Sequence, residues 1–361
     1  MEERDARSGV LILGGGFAGG YVARLLGERG ATVVSQENFM LYTPMLPEAA
    51  SGTLEPRHTV VPLRVMCPHA ELVLGDLKSV DFEARTATLE TTAGPQLVRW
   101  QELVLALGSI VRTVPVPGLA EHGLSFKSLP DAINLRNHVL RQLEAADTEL
   151  DEDARRARLS FVFVGAGYAG VEALAELSDL VEDAMRYYPR LRDTPRRWVL
   201  VDAAPKILPE IPSRLGEYAA RELEQRGVEI HVGTTLESVS AGESVLGDGT
   251  RIATHTLVWT AGVRANPLLA ELDVPLDDRG RVEVDQLLRV RGRTNVWALG
   301  DCARVPNRRS TEPDPPTCQH ALRQARRLAK NIAGDPEPYG YRMLGQVATL
   351  GRYKGIADVL G

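Results

Sequence analysis

Two glycine-rich turns, each directly after a run of apolar residues, contain the residue types that bind phosphate. The first turn contains Gly14, Gly16 and Gly19, and the second contains Gly165, Gly167 and Gly170. Glycine lets backbone N–H groups and the positive end of a helix reach a pyrophosphate, because there is no Cβ to block the approach. Two such turns about 150 residues apart predict two nucleotide cofactors and a reaction that passes electrons between them.

The strand after each turn should end on the residue that binds the adenosine ribose, where a carboxylate is usual. Ser35 occupies that position after the first turn, with Glu37 two residues further on, and Asp202 occupies it after the second turn. A carboxylate binds both ribose hydroxyls and repels a 2′-phosphate, so Asp202 favours NADH over NADPH despite the nearby Lys206. Ser35 still offers one donor and one acceptor, which predicts an altered ribose site.

The composition excludes several classes of protein. The net charge of −6 and the pI near 5.8 argue against a nucleic-acid surface. Cys67, Cys302 and Cys318 are too few and too scattered for a disulfide framework, and none forms CxxC. No apolar run reaches the roughly 18 residues of a membrane span, and MEERDARSG lacks a signal-peptide core. We predict a cytoplasmic protein and no metal site.

The first glycine turn is expected to lie between a strand and a helix that runs through Arg29 to Gly30. A strand at 32–34 follows, and four prolines predict an extended loop at 38–64 that lines a flat cofactor ring. Residues 71–100 alternate across a Gly94-Pro95 turn, as in an antiparallel ribbon, and 103–108 form a buried strand. A helix at 129–146 and a charged stretch at 149–158 lead to the second turn.

The second turn is expected to open a helix at 171–186, followed by strand 198–202, helix 215–226, strand 228–232 and strand 256–262. A strand at 295–303 closes on Gly300-Asp301, where the carboxylate can accept from ribityl hydroxyls. Thr317 is the expected N-cap of a helix at 318–332.

Five short motifs, taken in their order along the chain, resemble those of the flavoprotein reductases with two dinucleotide-binding domains. They are GGGFAGG, ALG, GAGYAGVE, WTAGV and ALGDCA. Four longer segments are similar to segments of the type II NADH dehydrogenases, which are single-subunit NADH:quinone oxidoreductases. These segments are NFMLYTPMLPEAA, FKSLPDAINLRNHVL, LVWTAGVRANPL and PPTCQHALRQARRLAKNI. The resemblance implies an α/β fold with two Rossmann-like domains, the NADH domain being inserted in the FAD domain. We expect the FAD domain at 1–118 and 267–333, the NADH domain at 119–266 and a truncated C-terminal segment at 334–361.

The resemblance also implies the binding residues of non-covalent FAD and of NADH as substrate. The expected FAD residues are Gly14, Gly16, Phe17, Ala18, Gly19, Ser35, Gln36, Thr43, Pro44, Ala106, Gly108, Gly300, Asp301, Gln319 and His320. The expected NADH residues are Gly165, Gly167, Tyr168, Ala169, Gly170, Glu172, Asp202 and Gly262.

Such a reaction needs positioning more than side-chain chemistry, because hydride moves from nicotinamide to flavin once the rings stack at roughly 3 to 3.5 Å. The helix at 318–332 is expected to direct its positive end at the reduced flavin. Family resemblance makes Glu172 and Gln319 the expected catalytic residues, Glu172 for nicotinamide orientation and quinone-linked protonation. Gln319 and Gln324, with Lys354, are the expected quinone contacts.

Three alternatives remain at the level of sequence. A sulfide:quinone oxidoreductase needs two cysteines beside the flavin, and only Cys318 is expected there. Another NAD(P)H:acceptor flavoprotein reductase uses the same two cofactor sites. From a different class, an NADH-sensing flavoprotein with impaired turnover is consistent with Ser35.

The chain ends at Gly361, whereas this family usually continues into a membrane-docking segment with amphipathic helices. From the resemblance we expect quinone and NADH as small-molecule partners, and from the net charge we expect no nucleic acid. We expect a peripheral position on the cytoplasmic face of the inner membrane if an anchor exists beyond Gly361, and a homodimer as a further expectation.

Overall fold

The computed structural model describes residues 2–112 and 114–359. Within these ranges the α-helices are α1 Phe17–Leu25, α2 Leu46–Ser51, α3 Leu63–Met66, α4 Leu119–His122, α5 Leu129–Thr148, α6 Glu152–Arg158, α7 Tyr168–Ala184, α8 Ser213–Gln225 and α9 Cys318–Ile332. Short 3₁₀ turns lie between several of them.

The β-strands of the described residues are β1 Glu2–Asp5, β2 Val10–Leu13, β3 Thr32–Ser35, β4 Phe39–Leu41, β5 Val60–Pro62, β6 Glu71–Asp81, β7 Thr86–Thr91, β8 Gly94–Arg99, β9 Glu102–Leu105, β10 Ser109–Val111, β11 Gly123–Ser125, β12 Ser160–Val164, β13 Arg197–Asp202, β14 Val228–Val232, β15 Leu236–Val239, β16 Glu243–Leu246, β17 Arg251–Ala253, β18 Thr256–Trp259, β19 Val263–Ala265, β20 Val282–Glu283, β21 Val296–Ala298, β22 Ala303–Arg304, β23 Gly345–Thr349 and β24 Gly355–Val359.

The chain divides into two compact units. The first comprises Met1–Tyr42, Val60–Ile110 and Val263–Met343, and the second comprises Thr43–Thr59, Val111–Gly262 and Leu344–Gly361. The chain thus leaves the first unit near residue 110 and returns near 263, as expected for an inserted domain. Residues 43–59 and 344–361 group with the second unit, whereas we expected the first of these segments with the FAD residues.

The first unit is built on an eight-stranded sheet in the order β1-β8-β7-β6-β3-β2-β9-β21. Strand β2 pairs in parallel with β3 on one side and with β9 on the other, so the strand order reverses at β2. Helix α1 packs against α9, and the buried side chains of β2 and β9 are entirely apolar. Ligands of open α/β sheets bind at the carboxyl end of such a reversal point, which here is the turn after Leu13.

The second unit repeats this design in a five-stranded parallel sheet, β11-β18-β12-β13-β14. Strand β12 lies between β13 and β18, and its five residues are all buried. The rings of Phe161 and Trp198 stack at 4.4 Å on neighbouring strands. The α/β class predicted from the sequence is confirmed, and each unit has its own reversal point directly before a glycine turn.

Two local predictions were wrong in detail, and a third segment, for which the sequence predicts no element, forms a helix. Helix α1 ends at Leu25, and a 3₁₀ turn carries the chain to Gly30, whose φ is 71°. The supposed extended loop at 38–64 contains α2, because Pro47 lies in the first turn, where proline needs no helical partner for its nitrogen. The charged stretch before β12 forms α6, capped by Asp151, whose side chain accepts from Ala154 N at 2.8 Å.

Candidate active site

The first glycine turn owes its shape to close backbone packing. Gly14 has a φ of 115°, and a Cβ there would lie 2.2 Å from the carbonyl oxygen of Ala106 at the end of β9. A Cβ on Gly19 would lie 2.0 Å from Gly14 O. Gly16, the N-cap of α1, differs, because a Cβ there would meet nothing within 4 Å. The turn therefore leaves open space in front of the amino end of α1.

The second turn has the same division of roles in the second unit. A Cβ on Gly165 would lie 2.6 Å from Ala261 N, and one on Gly170 would lie 1.8 Å from Gly165 O, whereas one on Gly167 would meet nothing within 4 Å. The Thr260 hydroxyl lies 2.9 Å from Gly165 O and braces the turn. Each unit thus presents a helix amino terminus with a space that a side chain would fill, which fits a pyrophosphate.

Asp202 lies at the end of β13, as predicted, and is already tied to the turn. Its Oδ2 accepts from Ala166 N at 2.5 Å and its Oδ1 from Ala204 N at 2.7 Å. Each carboxylate oxygen has two lone pairs, so both remain able to accept from a ribose hydroxyl. The carboxylate therefore links the ribose position to the phosphate turn.

Ser35 ends β3 in the first unit, and its hydroxyl would lie 2.6 Å from a Cβ on Gly15. Gln36 Nε2 donates at 2.6 Å to Oδ1 of Asp76, an exposed residue of the neighbouring strand β6. The rings of Phe17 and Tyr42 lie 5.5 Å apart near the same turn. Glu37 is exposed.

The Gly300-Asp301 turn is held from two sides within the first unit. Ser109 Oγ donates to Asp301 Oδ2 at 2.8 Å, and Gly300 N donates to Gln324 Oε1 at 2.8 Å. Gly300 has a φ of 73° and a Cβ there would lie 2.9 Å from the Ala18 Cβ, so α1 and this turn are close. Ala106 and Gly108, on the chain that leaves β9, belong to the same unit.

Helix α9 begins where the sequence predicts, with Thr317 as its N-cap and its hydroxyl accepting from His320 N. The His320 ring is only 3% exposed; its Nδ1 lies 2.7 Å from Thr317 Oγ1 and its Nε2 3.8 Å from Asp314 Oδ1. Burial lowers the pKa of His320, opposed by the Asp314 charge. His320 is thus part of a buried network, and its contact with FAD stays a prediction.

Gln324 and Gln319 differ sharply in setting. Gln324 is 2% exposed. Its Nε2 donates to Asp314 Oδ2 at 2.8 Å, and its Oε1 accepts a hydrogen bond from Gly300 N. Gln319 is half-buried and accepts from the Tyr341 hydroxyl. The Gln324 amide is therefore used inside the protein, which does not support its predicted role as a quinone contact, whereas Gln319 stays a candidate.

Glu172 lies in the first turn of α7, and its Oε1 accepts from Thr349 N at 3.0 Å. Burial, and after it the charges of Glu48 and Glu176, raise the pKa of Glu172 from 4.5 to about 7, although hydrogen bonding to Thr349 acts in the opposite direction. A carboxyl group with this pKa exchanges its proton near neutral pH, which is what a general acid or base requires. Tyr168, one turn earlier, donates its hydroxyl to Gln346 at 3.0 Å.

Five other predicted residues all belong to the second unit. Lys354 is exposed and forms an ion pair with Glu222 of α8, which does not support a quinone contact. Thr43 and Pro44 belong to the second unit, and Gly262, with a φ of 75°, accepts from Arg112 N at 3.1 Å. Ala169 lies in the first turn of α7.

Comparison with known proteins identifies the family. The family model for pyridine nucleotide-disulphide oxidoreductases matches residues 8–325. The type II NADH:quinone oxidoreductase Ndh of Mycobacterium tuberculosis is 30% identical over 98% of this chain and 80% of its own length. The chain belongs to this family, within its type II NADH:quinone oxidoreductases.

Other relatives agree with this assignment. The internal alternative NAD(P)H-ubiquinone oxidoreductase A1 of Arabidopsis thaliana mitochondria is 30% identical over 97% of this chain and 75% of its own length. NDH2 from Plasmodium falciparum, solved in complex with NADH, superposes with a TM-score of 0.89 at 17% identity, covering 99% of this chain and 90% of that one. The family and fold predicted from the motifs are confirmed.

The cysteines of this family member are poor candidates for redox chemistry. Cys302 is buried, its Sγ faces the carbonyl oxygens of Leu105 and Leu299, and burial raises its pKa to about 11. Burial also raises the pKa of Cys67 to about 11, and it raises the pKa of Cys318. Reactive cysteines need the thiolate, which these environments disfavour. The sulfide:quinone alternative is not favoured.

Within residues 2–112 and 114–359, no group of acidic, histidine and cysteine side chains is arranged to hold a metal ion. Over the same ranges, no helix combines the length and apolar character needed to cross a membrane.

Several residues of this site were missed from the sequence. Thr260 braces the second turn, Asp314 anchors the α9 network, and Glu48 and Glu176 surround Glu172. Glu176 follows Glu172 by one helical turn on a helix that is otherwise largely apolar, and that spacing was a usable signal. Glu48 gives no such signal, because its segment lacks a helical period and its prolines predict a loop.

Proposed function

We propose that this protein oxidises NADH and passes two electrons to a quinone, with FAD bound non-covalently in the first unit and no proton pumping. The observation that carries the proposal is the pair of glycine turns, one in each unit, whose middle glycines alone face open space. Two such cradles in one chain fit a bound dinucleotide and a dinucleotide substrate. Relatives named as NADH:quinone oxidoreductases support this division.

In the first unit, the residues present fit FAD. Gly16 and the amino end of α1 would receive the pyrophosphate, and Asp301, already fixed by Ser109, would accept from ribityl hydroxyls. Ser35, with Asp76 brought close through Gln36, would serve the adenosine ribose. When bound, FAD would supply the acceptor for the hydride of NADH and the source of two electrons for the quinone.

In the second unit, Gly167 and α7 would receive the NADH pyrophosphate, and Asp202 the adenosine ribose. A carboxylate at this position repels a 2′-phosphate, which supports NADH over NADPH. Ala166 N fixes the Asp202 carboxylate before the substrate arrives, so little ordering is left for the binding step.

The acid–base function falls to Glu172 in this proposal. Quinone reduction by NADH consumes one proton overall, and a group with a pKa of about 7 holds that proton at working pH. Gln319, half-buried at the start of α9, is the proposed donor to a quinone carbonyl, with Cys318 beside it.

The test is steady-state NADH oxidation by the purified, flavin-loaded protein with two electron acceptors, a short-chain quinone and ferricyanide. A parallel assay measures reduction of the quinone with sulfide as the electron donor in place of NADH. We expect rapid NADH:quinone turnover and none with sulfide. Turnover with sulfide and not with NADH would overturn the proposal. NADH binding without oxidation would instead indicate a sensor.

We extend the proposal to attachment at the cytoplasmic face of an inner membrane, because quinones are held in the lipid phase. A homodimer is a separate part of the proposal. Flotation with vesicles and light scattering test both points. A monomer that stays unbound to vesicles of any lipid composition would contradict them.

A further inference from the structure

A buried hydrogen-bond chain in the first unit joins the loop before α9 to the Gly300-Asp301 turn. Asp314 lies in that loop, Gln324 lies on α9, and Asn307 lies just after β22. Their side chains are buried, with relative exposures of 5% for Asp314, 2% for Gln324 and 8% for Asn307. We call these three residues the Asp314 network.

The orientation of the Gln324 amide is fixed by the backbone. Its Oε1 accepts from Gly300 N at 2.8 Å, and a backbone N–H can only donate. The NH₂ group of Gln324 therefore points to the other side, where it donates to Asp314 Oδ2 at 2.8 Å. If the amide rotated by 180°, its NH₂ group would face Gly300 N–H, and two donors would meet without an acceptor.

The orientation of the Asn307 amide is fixed in the same way. Its Oδ1 accepts from Arg309 N at 2.9 Å and from Tyr341 N at 3.0 Å. Its Nδ2 donates to Tyr341 O at 2.8 Å and to Asp314 Oδ1 at 2.7 Å. Asp314 thus faces an NH₂ group at each of its two oxygens.

Residue 314 must therefore accept hydrogen bonds on both sides. A carboxylate can do so, whereas an asparagine has one oxygen and would set its own NH₂ group against another. Two further neighbours do not change this requirement. His320 Nε2 lies 3.8 Å from Asp314 Oδ1, which is too far for a hydrogen bond. Burial, and after it the contact with Asp314, raise the pKa of Tyr339, so that hydroxyl keeps its proton.

The far end of the chain is the turn that the proposed function assigns to the ribityl hydroxyls of FAD. Gly300 has a φ of 73° and begins the 3₁₀ turn Gly300–Cys302. The next residue, Asp301, accepts from Ser109 Oγ at 2.8 Å. Gln324 holds the backbone on one side of Asp301 and Ser109 holds its carboxylate on the other, so the loss of either bond would loosen this side chain.

We propose that Asp314 is a positioning residue for FAD binding: by accepting from the Gln324 amide, it keeps Gln324 Oε1 on Gly300 N and so fixes the turn that carries Asp301. The proposal rests on the proposed function for the identity of the ligand. Asp314 acts through Gln324 and the turn, and its role is to supply an acceptor where an isosteric amide would supply a donor.

The experiment exchanges donor and acceptor between the two positions. Asp314→Asn alone sets two NH₂ groups against each other, and Gln324→Glu alone sets two carboxyl groups against each other. In the double variant Asp314→Asn/Gln324→Glu, the introduced amide can donate to the introduced carboxylate and still accept from Asn307. The second oxygen of that carboxylate can accept from Gly300 N, so each donor again has an acceptor. Glu312→Gln, at an exposed position of the same loop, is the control.

Each flavin-loaded protein is purified, its FAD content is measured, and the rate of FAD release after dilution is followed by the fluorescence of free flavin, without NADH or quinone. We expect each single variant to lose its FAD during purification or to release it at least about tenfold faster, because a loosened turn must be ordered again on binding. The double variant should release FAD within about threefold of the wild-type rate, since the two substitutions compensate each other. Glu312→Gln should match wild type.

Single variants that hold FAD as wild type does overturn the proposal, and so does a double variant that releases FAD as fast as the single variants. If the single variants do not fold, the double variant decides: folding with retained FAD supports the pairing, and failure to fold overturns it. A wild-type protein that binds no FAD would overturn the proposed function together with this proposal. The expected pattern of FAD release without NADH:quinone turnover would count against the proposed function alone.

Discussion

The backbone N–H of Thr349 donates a 3.0 Å hydrogen bond to Glu172 Oε1, joining the start of α7 to strand β23 in the second unit. This bond favours the ionised carboxyl, but burial outweighs it and raises the pKa of Glu172 to about 7. The group is therefore kept partly protonated at a cost to the folded protein, which is the usual compromise at an acid–base site.

The first prediction concerns stability. Between pH 4.5 and about 7 the folded protein holds a proton at Glu172 that the unfolded chain has released, so the free energy of unfolding falls as pH rises through that window. Glu172→Gln removes this cost. It should be more stable than wild type by roughly 1–3 kcal/mol near pH 8, since one pKa unit is about 1.4 kcal/mol.

Thermal or denaturant unfolding at both ends of the window measures the difference. Near pH 4 the two proteins should be equally stable, because the carboxyl is protonated in both states. The same difference at every pH would mean that packing, and not ionisation, is responsible. The variant should keep its FAD but lose most NADH:quinone turnover, and wild-type turnover would contradict the acid–base role.

The second prediction uses two matched substitutions. Gly16→Ala and Gly167→Ala each add a Cβ that meets no protein atom within 4 Å at a backbone with negative φ, so both should fold. Gly16→Ala should be purified with little FAD. Gly167→Ala should retain FAD and raise the KM for NADH by about tenfold or more, because the added methyl group occupies pyrophosphate space.

The ratio of flavin absorbance to protein absorbance in each purified variant measures the FAD content, and steady-state kinetics measure the KM for NADH. Circular dichroism is the control for folding. An exchange of the two phenotypes would reverse the assignment of cofactors to the units.

The third prediction concerns Asp202→Asn. The loss of a charged acceptor should raise the KM for NADH by about ten- to a hundredfold, since hydrogen bonds to charged groups contribute roughly 1.5–3 kcal/mol. The NADPH:NADH preference should rise, because the repulsion of a 2′-phosphate is gone. Asp193→Asn, an exposed residue of the same unit, is the control. An unchanged cofactor preference would show that Asp202 only holds the Ala166 turn.

The fourth prediction separates the two glutamines of α9. Gln324→Leu leaves Gly300 N–H and Asp314 without their partner and should cost about 2–4 kcal/mol of unfolding free energy. Gln319→Ala removes one half-exposed acceptor and should cost less than about 1 kcal/mol, yet raise the KM for quinone. Equal stabilities of the two variants would argue against the network.

The features predictable from the sequence are those encoded locally. A strand, a glycine turn and a helix start follow one another within 14 residues at 159–172, and Thr317 marks the start of α9 by its own capping bond. Asp202 was found because a strand end fixes its place, although its two backbone partners were not foreseen.

The missed residues depend on contacts between distant segments. Glu48 and Glu176 are 128 positions apart, and only the packing of α2 on α7 brings them together. Gln324 links Asp314 to Gly300 by two hydrogen bonds, and the helical spacing of α9 in the sequence does not indicate either bond. Gln324 and Lys354 were predicted from the family motif, which records residue types but not whether an amide or ammonium group is already used within the chain.

An anaerobic titration of the purified protein tests the central claim most directly, by following flavin absorbance through both half-reactions. One equivalent of NADH should bleach the bound flavin, and one equivalent of a short-chain quinone should restore its absorbance. A flavin that NADH does not bleach, or that quinone does not reoxidise, would contradict the account.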